Sequence, residues 1–179
     1  MHRIIGSIAI WALVILSVSC YSARALSQSY SVAQASATIV IPISISKIND
    51  MNFGEIAVIS SASGTVIIDP SGSITSGGSG GVTLILTTGS VSSASFNVTG
   101  AAGYTYNITL PSGSIPVSSG TNTMDLSSFT CSVSPLGLLS TGGSQLLTVG
   151  ATLNVPAGQA VGTYSTLSSM PLTVNYNTN

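Results

Sequence analysis

The chain is poor in charge: Lys and Arg total 3, Asp and Glu total 4, and the single histidine is His2. Phosphate binding needs clustered basic side chains that displace counterions, and so does polybasic contact with a membrane surface. Beyond residue 25 the only cation is Lys47, which excludes a nucleic-acid partner of that kind. With no histidine after position 2, no Ser-His-Asp or Cys-His arrangement can be built there. Of the two cysteines, Cys20 lies in the N-terminal apolar stretch, so Cys131 stands alone and no intrachain disulfide is expected. The one tryptophan, Trp11, lies in the same stretch, which removes the commonest platform for stacking sugars. No segment after residue 25 has helical periodicity.

What is present begins with a leader pattern. Met1, His2 and Arg3 make a short basic start, Ile4 to Val18 is apolar, and Ala23-Arg24-Ala25 puts small residues at the two positions a signal peptidase reads. Cleavage is expected between Ala25 and Leu26. The apolar run falls short of the roughly 18 to 20 residues that span a bilayer core, so no stable membrane span is expected in the mature chain. A lipid-attachment reading would use Cys20, but Leu16-Ser17-Val18-Ser19 places Ser where such signals have Leu. Removing 25 of 179 residues leaves 154, a single-domain length that buries about two thirds of its unfolded surface. Lys47 against Asp50, Glu55, Asp69 and Asp125 gives the mature chain a net charge of −3. Because Val, Ile, Leu, Thr and Tyr abound, low charge here does not mean disorder; Ser, Thr, Asn and Gly must form the solvent face.

Residues 26–36 read as a flexible N-terminal segment and 37–179 as one domain. Thr38 to Lys47 places isoleucine at every second position (Ile39, Ile41, Ile43, Ile45), a strand signature. A donor strand inserted between two others must bond along both edges, and Pro42 lacks the N–H for it, so the run fits an edge strand, the domain's own first. Asp50 to Ile56 reads as a turn into a short strand, followed by strands at Thr65–Asp69, Val82–Leu86, Ser95–Thr99, Tyr104–Leu110, Met124–Val133, Leu146–Val155, Thr163–Leu167 and Leu172–Asn177. Leu147, Val149, Ala151, Leu153 and Val155 share one face, as do Leu172, Val174 and Tyr176. Ser76 to Gly81 and Leu136 to Gly143 read as loops. The first is Gly-rich but is followed by a strand and not by the helix N-terminus a phosphate site needs.

Nine or ten short strands joined by Gly, Pro and Ser turns predict an all-β fold, a two-sheet antiparallel immunoglobulin-like sandwich. An eight-stranded barrel is the rival, and a transmembrane barrel would need longer strands. Cys131 is expected on the inner face with Phe129 and Val133, as an inert thiol. Asp50 and Asp69 border turns, where Asp bonds its own backbone, so no catalytic carboxylate pair is expected. Asp50, Asn52 and Glu55 offer oxygen ligands at a spacing that matches no calcium loop, and no metal or cofactor is expected. Asn97-Val98-Thr99 and Asn107-Ile108-Thr109 match the glycosylation pattern but fall inside strands.

Several segments resemble, in order, an uncharacterised family of bacterial secreted β domains. They are Ala37 to Val40, Ile48 to Ile56, Gly64 to Ile68, Phe96 to Pro111, Leu146 to Val155, Gly162 to Tyr164, and the ending through Tyr176. More distantly, Gly162-Thr163-Tyr164 and Tyr176 are similar to features of spore-coat-U-like and chaperone-usher pilin domains. That resemblance implies a pilin-like sandwich completed by a strand from the next subunit. Two features depart from it: a lone Cys131 cannot supply the usual disulfide, and Tyr176 is not next to last. The expectation is a non-enzymatic protein exported across the inner membrane to the periplasm, cell surface or medium. It would self-associate or join other surface subunits by strand addition, with Ile39, Ile41, Ile43, Ile45, Leu172, Val174 and Tyr176 as pairing residues. The alternative is an adhesin-like module holding a glycan or host protein in its loops.

Overall fold

The computed structural model describes residues 28–87, 89–133, 135–166 and 170–177. The expected signal peptide and its Ala25–Leu26 junction lie outside them. The chain divides into two units, Met1–Thr38 and Ile39–Asn179. The described part of the first has no regular secondary structure and is exposed throughout. In the second, every regular element among the described residues is a β-strand, and the strands form several antiparallel sheets arranged as a sandwich.

The strands are β1 (Ser44–Asn49), β2 (Asn52–Phe53), β3 (Glu55–Val58), β4 (Gly64–Ile68), β5 (Ile74–Gly78), β6 (Val82–Ile85), β7 (Val91–Ser92) and β8 (Ala94–Thr99). They continue with β9 (Thr105–Thr109), β10 (Ile115–Ser119), β11 (Asn122–Cys131), β12 (Leu136–Leu138), β13 (Ser144–Val155), β14 (Ser165–Thr166) and β15 (Thr173–Tyr176).

β13 organises the unit. Its alternating Leu147, Val149, Ala151, Leu153 and Val155 are all buried, and removing each larger side chain from water contributes about 2 kcal/mol. One edge of β13 is shared end to end by two strands: β8 pairs Ser144 to Val149 and β4 pairs Ala151 to Val155. The handover falls at Gly150, where a Cβ would overlap the Ile68 carbonyl and the Asp69 backbone. β11 pairs the other edge, followed by β10 and β14, while β1 flanks β8 and β5 flanks β4. The remaining strands form a three-stranded sheet, β12-β9-β15, and two pairs, β2-β7 and β3-β6.

Two hydrophobic clusters result. One contains Val66, Val82, Ile115, Val117, Met124, Leu126, Ala151, Leu153 and Val155. The other contains Val98, Tyr106, Leu139 and Leu147, with Ile43, Ile45, Ile108, Cys131, Val174 and Tyr176 partly buried against it. β11 serves both by means of a bulge. Its register slips between Ser127 and Thr130, three steps opposing two on β13, and Ser128 takes φ 51°. The extra residue shifts the inward phase, so that Met124 and Leu126 face the first cluster, Phe129 packs on its margin, and Cys131 and Val133 pack on the second.

Three expectations on secondary structure are corrected. The first strand begins at Ser44 and not at Thr38, because its partner β8 ends opposite it at Thr99 and the chain turns away at Gly100. Ser76 to Gly78 belong to β5 and not to a loop: Gly77 and Gly78 lie opposite Thr65 and Gly64, where missing side chains permit close pairing. Leu136 to Leu138 form β12, since Gly137 leaves room for the Tyr106 ring across the pair. The sequence carries no clear strand signal for β10, because Pro116 stands between Ile115 and Val117.

Candidate functional site

Strand addition depends on edges, and β1 ends the large sheet. Its isoleucine row divides at Pro42. Ile43 and Ile45 pack on the second cluster, whereas Ile41 is 66 % exposed and Ile39 97 % exposed. The row thus continues past the end of the paired strand with its side chains largely exposed. Further along β1 stand a register slip between Lys47 and Asn49 and an ion pair, Lys47 Nζ to Asp50 Oδ1 at 2.6 Å. A charge and a bulge on an edge strand discourage another chain from pairing there. As an exposed pair, the bridge itself adds at most about 1 kcal/mol.

The other end of the domain's chain meets the same place. In β15, Val174 is opposite Ile108 and Tyr176 opposite Tyr106; Leu172, just before the strand, is half-buried. The Tyr176 hydroxyl accepts a hydrogen bond from the Ala101 N–H and donates one to the Ile41 carbonyl, both at 2.6 Å. Its ring meets Tyr104 edge-on at a centroid distance of 5.6 Å. Gly100 makes this possible, since a Cβ there would lie inside contact distance of the hydroxyl.

A second tyrosine ties the sheets together. Tyr106 is fully buried, its O–H donates to Gln145 Oε1 at 2.7 Å, and the same oxygen accepts the Leu138 N–H at 2.9 Å. One amide of β13 therefore holds both β9 and β12. Burial, and secondarily the charge of an ionised Cys131, pushes the Tyr106 phenol up to about 12. The unfolded chain releases this proton near pH 10 and the folded chain keeps it, so stability is complete below pH 10 and falls as pH rises to about 12. Urea unfolding at intervals across that range is expected to show the decline at up to roughly 1.4 kcal/mol per pH unit from this group, with Tyr106→Phe removing that share.

The carboxylates are dispersed. Asp69 Oδ1 accepts from the Ser71 hydroxyl and from the N–H groups of Ser71 and Ser73, which holds its pKa below the ordinary value, the Ser71 hydroxyl bond being the main cause. Asp50 is engaged by Lys47. Asp125 lines an open cleft of about 400 Å³ whose walls are polar at Ser63, Thr65, Ser79, Thr123 and Asn154 and apolar at Met124, Val155 and Pro156. Among the described residues no group of three or more His, Cys, Asp or Glu is placed to hold a metal. Cys131 is a free, partly buried thiol, and Asn97 and Asn107 lie in β8 and β9.

Sequence reasoning missed Gln145, Gly100 and Gly137. Gln145 breaks the polar–apolar alternation with no visible partner, and the two glycines look like turn residues until the tyrosines above them are placed.

The fold and its edges define an antiparallel β-sandwich domain whose distinguishing features are an overhanging first strand and a tyrosine clasp. Residues 43–176 match the model of a domain of unknown function (DUF4402), and the chain belongs to that family. No curated protein and no solved structure matches it.

Proposed function

We propose that the protein is a non-enzymatic, pilin-like structural subunit, exported by a bacterial cell, that joins further copies or other surface subunits by strand addition. The observation that carries this reading is the isoleucine row. Its inner half, Ile43 and Ile45, packs partly buried against the second cluster, and its outer half, Ile39 and Ile41, which continues the same alternation in the sequence, is exposed. Tyr30 and Val32, in the segment before it, are exposed too. An exterior nearly free of charge adds little repulsion between copies. Residues 26–179 are expected to form oligomers or fibres in size-exclusion chromatography and electron microscopy. The Ile39→Asp, Ile41→Asp double variant is expected to weaken association at least about a hundredfold, because each buried unpaired carboxylate costs more than the isoleucine contributes. Its thermal unfolding should match wild type, both positions being exposed. A wild-type chain that is folded and strictly monomeric overturns the proposal.

The cleft beside Asp125 supports a second reading, an adhesin-like module. Ser79 with the side-chain-free Gly64 and Gly78 leaves hydroxyl, amide and carboxylate groups facing one space, as a neutral glycan would require. A glycan array without signal removes it.

A further inference from the structure

We propose that the Tyr176 hydroxyl is a latch on the first strand, deciding whether β1 stays on its own domain or is exchanged with a second copy of this chain; the inference rests on the strand-addition reading. The β1–β8 register ends at Ser44 opposite Thr99. Beyond it the two chains are joined by the phenol, which takes the Ala101 N–H and gives its proton to the Ile41 carbonyl. Pro42 has no N–H to add. An edge strand peels from its ends, and the hydroxyl sits at the end where peeling of β1 starts. Because one oxygen both accepts and donates, the two bonds reinforce each other and are lost together.

The occupant of a vacated β8 edge is β1 of another copy. Only that sequence reproduces the Ser44 to Thr99 register and returns Ile43 and Ile45 to the second cluster. The bulge and Lys47 guard the outer edge of β1 but place no obstacle on β8, so exchange is the route by which one β1 replaces another. Ile39 and Ile41, outside the exchanged register, stay exposed for burial against a further copy. Each copy that receives a strand has given one up, so the exchange closes as a dimer or runs on as a chain.

The test compares wild type with Tyr176→Phe, which keeps the ring against Tyr104, and Gly100→Ala, whose Cβ displaces the hydroxyl while leaving Tyr176 in place. Hydrogen–deuterium exchange of residues 41–49 and of Ala101 is expected to run roughly tenfold faster in both variants, the effect of losing about one net hydrogen bond or slightly more. Exchange between copies is read by Ser44→Cys, Thr99→Cys in a Cys131→Ala background, the paired hydroxyl oxygens being 2.8 Å apart. Oxidation traps strand-exchanged dimers as intermolecular disulfides, which are expected to rise several-fold when Tyr176→Phe is added. Residues 41–49 exchanging at the wild-type rate in both folded variants overturn the latch, whether or not the protein assembles. Faster exchange with intramolecular disulfides alone at every concentration leaves the hydroxyl's hold on β1 standing and overturns strand addition.

Discussion

Insertion of a second serine after Ser128 is expected to abolish cooperative folding. With one residue more than the β11 bulge absorbs, the alternation that follows it slips by one, and Phe129, Cys131 and Val133 turn to solvent. Each displaced apolar side chain costs about 1.5–3 kcal/mol, so the loss reaches the range of a whole domain's stability, roughly 5–15 kcal/mol. Ser128→Gly is the control: glycine adopts the observed φ of 51° without strain, and its midpoint in urea should stay within about 1 kcal/mol of wild type. An insertion variant that melts cooperatively near wild type would show that the slip in register does not set the phase of the core.

Gly150→Ala is expected to destabilise the domain by about 3 kcal/mol, at the upper end for an inserted methyl group. A Cβ at Gly150 meets the Ile68 carbonyl and the Asp69 backbone, which cannot swing aside as a side chain would. These groups sit where β4 takes over from β8 along β13, so relief requires moving one strand off its register. Chemical denaturation should show a lower midpoint with little change in slope. A contrasting substitution is Gly113→Ala, where a new Cβ meets nothing, and near-wild-type stability is expected.

Much of the architecture was legible because alternation leaves a period of two in the sequence wherever one face is buried and the other wet. The five inward residues of β13 follow that rule, as do Tyr106, Ile108 and Leu110 of the alternation from Tyr104 to Leu110, whose first member, Tyr104, lies just before β9 and is exposed. The limits of the isoleucine row were not legible. Alternation carries it from Ile39 to Ile45, but a strand also needs a partner, and whether β8 reaches that far depends on a turn about 55 positions away in the chain, where Ser44 meets Thr99. Gly-rich β5 and the β12 tripeptide were obscured for a related reason, since glycine marks turns and also marks places where another group comes too near for a side chain. The clasp has no local signature: Tyr176 and Ile41 are 135 positions apart, and nothing near either one announces the other.

The position of β13 in the chain also governs when folding can happen. β4 must wait for Val155 before Gly64 has its partner on β13, β8 must wait for Ser144 to gain its second neighbour, and β11, which precedes β13, has no second neighbour until it arrives. Closing such distant pairs is entropically costly and therefore slow. A chain threaded N-terminus first through a narrow pore would stay pliable for most of its passage, and would commit to its final form only after residues 144–155 had emerged.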